Sequence, residues 1–297
     1  MNTGGTMESK LFDIKWALAD LSDQIGNVDS NTAGNKVAAC FKPNIEVIHV
    51  IGEYGNILKK LTGHRKRVTC IRFHPQTDMV ASTSEDTTVR LWAPDGGPDR
   101  RISYFRKPAL WLDWSKDGNF LASCGEEGSV LVCDKGGNFV CDLRNAEGAL
   151  RSVKWSPDSY FLAAASDNDA VYVWNIREQN ALLLKHTAPV RTIDWDPSGR
   201  TIVSVSEDGK TGLWKADGWE LTDFSAQADV VFGEFSKDGQ YLALGDRQGN
   251  IYIYDSELRN IDTFNIGESS PTFAWKSGGE LITGAPGGKL SYLAAKA

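Results

Sequence analysis

Two sets of side chains in this 297-residue chain could, by type alone, move a proton. His64 stands before Ser82, Ser84 and Asp86, and His186 before Ser206 and Asp208, so each set holds the imidazole, hydroxyl and carboxylate that activate a serine nucleophile. Both sets fall at matching places of a repeat, and a group copied by a repeat belongs to its framework rather than to one reaction centre. Cys124, Cys133 and Cys141 could hold a metal or cycle between redox states, but their spacing is not that of a zinc site and cysteine is a common small core residue. The run GAPGGK at 284–289 lacks the first glycine of a phosphate loop and has Leu290 where a magnesium-binding Ser or Thr would stand, so it reads as a turn. No nucleophile, metal cluster or cofactor loop stands beside a plausible pocket, so the reading is a non-enzyme with no cofactor, no metal and no small-molecule substrate.

The elements that position these residues recur. Phe73, Trp114, Trp155, Trp195, Phe235 and Trp275 each close a short alternating run (VTCIRF, LWLDW, LRSVKW, VRTIDW, VFGEF, PTFAW), at intervals of 41, 41, 40, 40 and 40 residues. Polar turns follow, such as SKDGN and DPSGR, and then second strands such as FLASCG and TIVSVS. A third strand ends nineteen residues after each anchor, at Trp92, Cys133, Trp174, Trp214 and Tyr254. Weaker fourth strands (RRISYF, FVCDL, ALLLK, ELTDF, IDTFN) have the pattern of an outer strand with one face in water. Period-two alternation rich in Val, Ile, Tyr and Trp, without a helical apolar stripe, makes the chain all-β. Units of this length and strand count are the signature of a seven-bladed β-propeller of four-stranded antiparallel blades.

The ends of the chain are harder to place. Trp16, closing KLFDIKW, lies 57 residues before Phe73, which is one period plus sixteen; residues 20–35 are therefore expected to be a loop inserted in blade one. Residues 1–10 are expected to supply the closing strand of the last blade, and residues 11–297 a single propeller domain.

Composition narrows the function classes. Lys and Arg number 32 against 39 Asp and Glu, a net charge of −7, so the cationic surplus of a general nucleic-acid or membrane-surface binder is missing. No apolar run is long enough to cross a membrane, and the opening residues MNTGGTMESKLF lack a leader's basic and apolar regions. Five cysteines without a C-x-x-C fit reduced thiols, so the expectation is a cytoplasmic protein, with the nucleus as the other reducing compartment. The short basic segment Arg65-Lys66-Arg67 reads as a solvated loop. Of ten tryptophans, Trp111 and Trp219 stand outside the repeated positions and are the candidates for a partner contact.

The unit GHRKRVTCIRFHPQTDMVASTSEDTTVRLW resembles a WD40 repeat, with Gly63-His64, Asp86 and Trp92 at the family's positions. The resemblance implies a buried hydrogen-bonded group of His64, Asp86, Ser82 or Ser84, and Trp92, and a second one of His186, Asp208, Ser206 and Trp214. Other units depart from it, with Glu127, Asn168 and Gln248 at the Asp position and Cys133 and Tyr254 at the Trp position. It also implies which residues line the channel mouth on one face. The residue before the turn acid is Glu85, Glu126, Asp167, Glu207 or Arg247, and the residue five after the His is Thr69, Leu110, Arg151, Arg191 or Val231. The carboxylates, with Leu110 and Trp111 as an apolar floor and Arg151 and Arg191 moderating the field, would receive a Lys- or Arg-bearing peptide. The implied function is a non-catalytic scaffold or adaptor subunit of a multiprotein complex. Trp174-Asn175-Ile176-Arg177 is similar to the box by which some WD40 proteins dock on the adaptor of cullin-RING ubiquitin ligases, which makes a substrate receptor the alternative.

Overall fold

The alternation of the anchor runs becomes a set of inner strands, each ending on its aromatic residue. The computed structural model describes residues 12–17, 25–41, 45–94, 99–144, 146–178, 180–222, 224, 229–266, 273–275, 279–285 and 289–295. Six sheets are built from four consecutive antiparallel strands each, and their inner strands are Ile25–Ser30, Val68–Phe73, Ala109–Trp114, Leu150–Trp155, Val190–Trp195 and Val230–Phe235, here blades 1 to 6. One further sheet joins Phe273–Trp275, Leu281–Ala285 and Lys289–Ala295 to Phe12–Ala17. The protein is an all-β propeller of four-stranded antiparallel blades.

One register runs through the repeat: Phe73 opposes Val80, Trp114 Leu121, Trp155 Leu162, Trp195 Ile202 and Phe235 Leu242. The anchors fill the seams between blades, as Trp155 does by packing with Ala122, Cys124 and Val130 of the preceding blade. Burying an aromatic side chain contributes on the order of 1.5–3 kcal/mol, so the row of anchors is the main cement between sheets. The turn after each inner strand is fixed locally. In blade 3, Gly118 adopts a φ of 71°, and a Cβ there would meet His74 at 2.6 Å, so only glycine fits.

The amino-terminal assignment is corrected. Phe12–Ala17 pairs with the last strand, Phe12 opposite Ala295 and Ala17 opposite Ser291, so the run ending at Trp16 belongs to the closing sheet and not to blade 1. The inner strand of blade 1 is Ile25–Ser30, inside the segment expected to be a loop, and it pairs with Lys36–Phe41. Its polarity has a structural cause. An inner strand has an unpaired edge on the channel side, and Asn27 Oδ1 and Asp29 Oδ2 accept the Ile71 and Phe73 amides of blade 2, both at 2.8 Å. Ser30 stands at the anchor position and donates to the Trp275 carbonyl at 3.2 Å. The proposed closing strand at residues 1–10 lies outside the described residues. Among those described, no helix is long and apolar enough to cross a membrane.

Candidate functional site

Each inner strand carries a bulge one residue after its start. Pairing skips Thr69, Leu110, Arg151, Arg191 and Val231, and it skips Gly26 in blade 1. A bulged residue has no partner across the strand and is turned out of the ladder, which gives each of blades 2 to 6 one side chain freed toward the mouth of the channel. The amide of the next-strand acid closes the same corner: Glu85 donates to the Arg67 carbonyl, Glu126 to Pro108, Asp167 to Ala149 and Glu207 to Pro189. Arg247 bonds the Asp229 carbonyl in the same way. The two residue sets expected at the mouth are thus brought together, blade by blade, by one backbone device.

The arc is less acidic than its sequence. Arg151 holds Asp167 through two bonds of 2.7 and 2.5 Å, Arg191 pairs with Glu207 at 2.9 Å, and Arg247 pairs with Asp229 at 3.0 Å. Among the described residues Glu85 and Glu126 form no ion pair. They flank a depression of about 540 Å³ lined by Lys66, Arg67, Thr69, Pro108, Leu110, Trp111 and Arg151. The Thr69 hydroxyl is committed to the Ala109 carbonyl at 2.7 Å and the Thr83 hydroxyl at 2.9 Å, so it ties blades 2 and 3 rather than facing a ligand freely. Trp111 is half-buried, with the Arg72 guanidinium 4.9 Å from its ring centroid and Phe232 of blade 6 at 6.4 Å. Phe273 meets Phe232 edge-on at 4.8 Å, so aromatic rings from opposite sides floor the mouth. Trp219 packs edge-on against Trp195 at 5.9 Å and is partly buried there.

Behind the mouth lies the hydrogen-bonded group of blade 2. Trp92 Nε1 donates to Ser82 Oγ at 2.8 Å, Ser82 meets His64 Nε2 at 2.8 Å, and His64 Nδ1 meets Asp86 Oδ2 at 2.9 Å. Burial holds the His64 imidazole below its ordinary value, so it is neutral with its proton on Nδ1, and each donor finds an acceptor. Burial alone would raise the Asp86 carboxyl. Bonds from Thr88, the Arg65 amide and His64 outweigh that and hold it far below the usual carboxylate range. The serine is Ser82; Ser84 lies two residues along the same strand face and instead ties the Lys66 carbonyl to the Asp86 amide.

Blade 5 repeats only half of this. Trp214, Ser204 and His186 form the same relay at 2.8 and 2.7 Å, so Ser204 and not Ser206 is the shared hydroxyl. Ser206 instead bonds Asp208 directly, and Asp208 takes Thr187 Oγ1 at 2.9 Å rather than His186. Thr187 stands where Arg65 precedes the strand of blade 2, and its short hydroxyl reaches the carboxylate first. His64 is buried and both of its ring nitrogens are engaged, whereas His186 is half-buried and its Nε2 is held by Ser204. Arg177 stacks on Tyr160 at 4.6 Å at the blade edge.

A second cluster escaped sequence reasoning. Two residues past the bulge-adjacent position, the inner strands place Asp29, Arg72, Asp113, Lys154, Asp194 and Glu234 around the opposite end of the channel, which widens to about 250 Å³. Asp113 accepts the Trp155 amide at 2.9 Å and Asp194 the Phe235 amide at 2.9 Å, repeating what Asp29 does for Phe73. Lys154 lies 3.0 Å from Asp194 and 4.0 Å from Glu234. Burial pushes Asp113 up to about 6 against the pull of Lys154, and pushes Glu234 up to about 7. The signal was present, one charged residue just before each anchor, but spread at forty-residue intervals. Among the described residues no group of His, Cys, Asp and Glu is arranged to hold a metal ion.

Comparison with known proteins agrees with this geometry. The WD40 family pattern, described as "WD domain, G-beta repeat", matches residues 55–93, 107–134, 137–175 and 178–215. The chain carries WD40 repeats, and WD-repeat proteins are among those it resembles. It is similar to pre-mRNA-processing factor 19 homolog 2 of Arabidopsis thaliana, 26% identical over 70% of this chain and 50% of that protein. It is also similar to the Arabidopsis transcriptional corepressor LEUNIG_HOMOLOG, 33% identical over 51% of this chain and 19% of that protein. The F-box-like/WD repeat-containing protein TBL1X of Mus musculus is 26% identical over 50% of this chain and 31% of its own length. The chain thus spans half or less of the length of these relatives.

Proposed function

We propose that this chain is a non-catalytic interaction scaffold, a seven-bladed ring closed by its amino-terminal strand, acting in a multiprotein complex in the cytoplasm or nucleus. Relatives named as a pre-mRNA-processing factor and a corepressor support a role in assemblies. The observation that carries the site is the pair Glu85 and Glu126. Among the described residues these two carboxylates form no ion pair beside the Leu110 and Trp111 floor, while Asp167 and Glu207 are paired with Arg151 and Arg191. A Lys or Arg side chain of a partner peptide would gain both carboxylates and the Trp111 face. Reversing Glu85 and Glu126 to Lys is expected to weaken a short Lys/Arg-bearing peptide about tenfold or more at low salt and to flatten its salt dependence. Unchanged affinity and salt slope, measured by fluorescence anisotropy on the folded variant, would remove this face. The ligase alternative rests on Arg177, whose guanidinium is occupied by Tyr160, and no other observation favours it.

A further inference from the structure

The framework acids of blades 2 and 3 do more than complete a network. Asp86 and Glu127 stand 41 residues apart at the same place of the repeat, and both turn back onto the loop that leads into their own inner strand. Asp86 accepts the Arg65 amide at 2.9 Å, and Ser84 Oγ donates to the Lys66 carbonyl at 3.1 Å. Glu127 accepts the amides of Arg106 and Lys107, the latter at 3.2 Å. Each carboxylate thus ties down the backbone of its loop, Asp86 while also holding His64 and Thr88, and each loop is held in one shape with its basic side chains exposed.

Those side chains are cations in register. Arg65 and Lys66 recur as Arg106 and Lys107, and Arg67 adds a fifth charge. All five are exposed, and none forms an ion pair among the described residues, although the whole chain carries −7. The corresponding residues are Glu147 and Gly148 in blade 4 and Thr187 and Ala188 in blade 5, so the cations are confined to two adjacent blades. The corner they form borders the depression floored by Leu110 and Trp111, to which Lys66 and Arg67 contribute. Like charges crowded at one corner of an acidic protein are costly unless a counter-charge arrives.

We propose that the loops at 62–67 and 105–108 dock an acidic, extended peptide segment whose apolar side chain enters the depression over Leu110. The proposal goes beyond the site for a basic side chain and stands without it, since it uses the cations of the two loops, which lie beside Glu85 and Glu126 at the rim of the same depression. A peptide fits better than a nucleic acid. The acids of blades 4 and 5 would repel a continuous phosphate backbone running on along the arc, whereas a short peptide spans only the two loops and passes Glu85 and Glu126 with its apolar side chain.

The test uses the full chain and a fluorescein-labelled short peptide of Glu and Ser with one central Leu. Binding by anisotropy is expected, weakening steeply as salt rises, and Lys66→Glu with Lys107→Glu should weaken it about tenfold or more. Among the described residues neither lysine side chain is bonded, and circular dichroism checks that the variant is folded. Replacing the peptide's Leu by Ser should cost a further several-fold. No binding at low salt, equal binding by the double variant, or tighter binding of a single-stranded RNA of equal charge would overturn the proposal. The Glu85→Lys, Glu126→Lys variant separates the two readings. Retained acidic-peptide binding by that variant supports the proposal whatever becomes of the basic peptide, and loss of it in that variant alone overturns the assignment to the cationic loops.

Discussion

Asp86 takes four bonds at once, from the Arg65 amide, the Thr88 amide, the Thr88 hydroxyl and His64 Nδ1. Its counterpart in blade 6, Gln248, makes one exposed side-chain bond, to Asp229 at 3.2 Å. A buried donor left without an acceptor costs on the order of 1–3 kcal/mol, so Asp86→Ala should lose that much or more in urea titrations, and Gln248→Ala about a third of it or less. Equal losses would mean that the relay contributes nothing. This group was legible in the sequence because histidine and tryptophan mark it. The choice of Ser82 over Ser84 was not, because both lie on one face of the strand and only depth separates them. The split in blade 5 was also hidden, since it depends on a threonine hydroxyl outcompeting an imidazole for Asp208.

At the scale of the strand, one problem recurs: the innermost edge has amides that no neighbour pairs. The solution is a side-chain acceptor reaching across the seam, Asp29 to blade 2, Asp113 to blade 4 and Asp194 to blade 6. The blades between contribute Arg72, Lys154 and Glu234 to the same ring, and Glu234 is left with Lys154 at 4.0 Å as its nearest opposite charge. Because burial raises the folded carboxyls of Glu234 and Asp113 above their ordinary values, the folded state holds these protons to higher pH than the unfolded chain. Stability from this source is full below about pH 4 and falls as pH rises to about 6 for Asp113 and about 7 for Glu234. Glu234→Gln should therefore match the parent near pH 4, exceed it by about 1–3 kcal/mol near pH 8, and flatten the slope between. A variant less stable than its parent at pH 8 would show that the Lys154 contact outweighs burial. The same strands explain why blade 1 was misread. Its inner strand has Ser30 for an aromatic anchor and polar Asn27 and Asp29 within, and composition alone does not separate an edge built to accept amides from a loop.

The whole molecule depends on whether its ends meet. Each seam between the sheets has at least one tie besides its apolar packing: Thr69 to Ala109 between blades 2 and 3, Trp195 Nε1 to the Lys154 carbonyl between 4 and 5, and Trp275 Nε1 to the Glu234 carbonyl between blade 6 and the closing sheet. Ser30 then bonds the Trp275 carbonyl, so blade 1 already touches the last sheet before any strand is exchanged. What the exchanged strand adds is an edge. Without Phe12–Ala17, the strand Lys289–Ala295 would present an unpaired row of backbone groups, a liability for both stability and self-association. The repeat made six of the sheets readable and pointed to the amino terminus as the source of this last strand, but not to the run that supplies it, because a closing strand and a blade-one strand have the same alternating pattern and only their pairing differs. Deleting residues 2–10 should leave the thermal midpoint within about a degree of the parent, whereas deleting through Ala17 should lower it by several degrees or more, at about 2–4 °C per kcal/mol for a chain of this size. The longer deletion should also broaden the transition and shift the protein toward oligomers in sedimentation, as the bare edge pairs with another copy. If both deletions melt alike, the strand from Phe12 is dispensable and the ring is held by the seams alone.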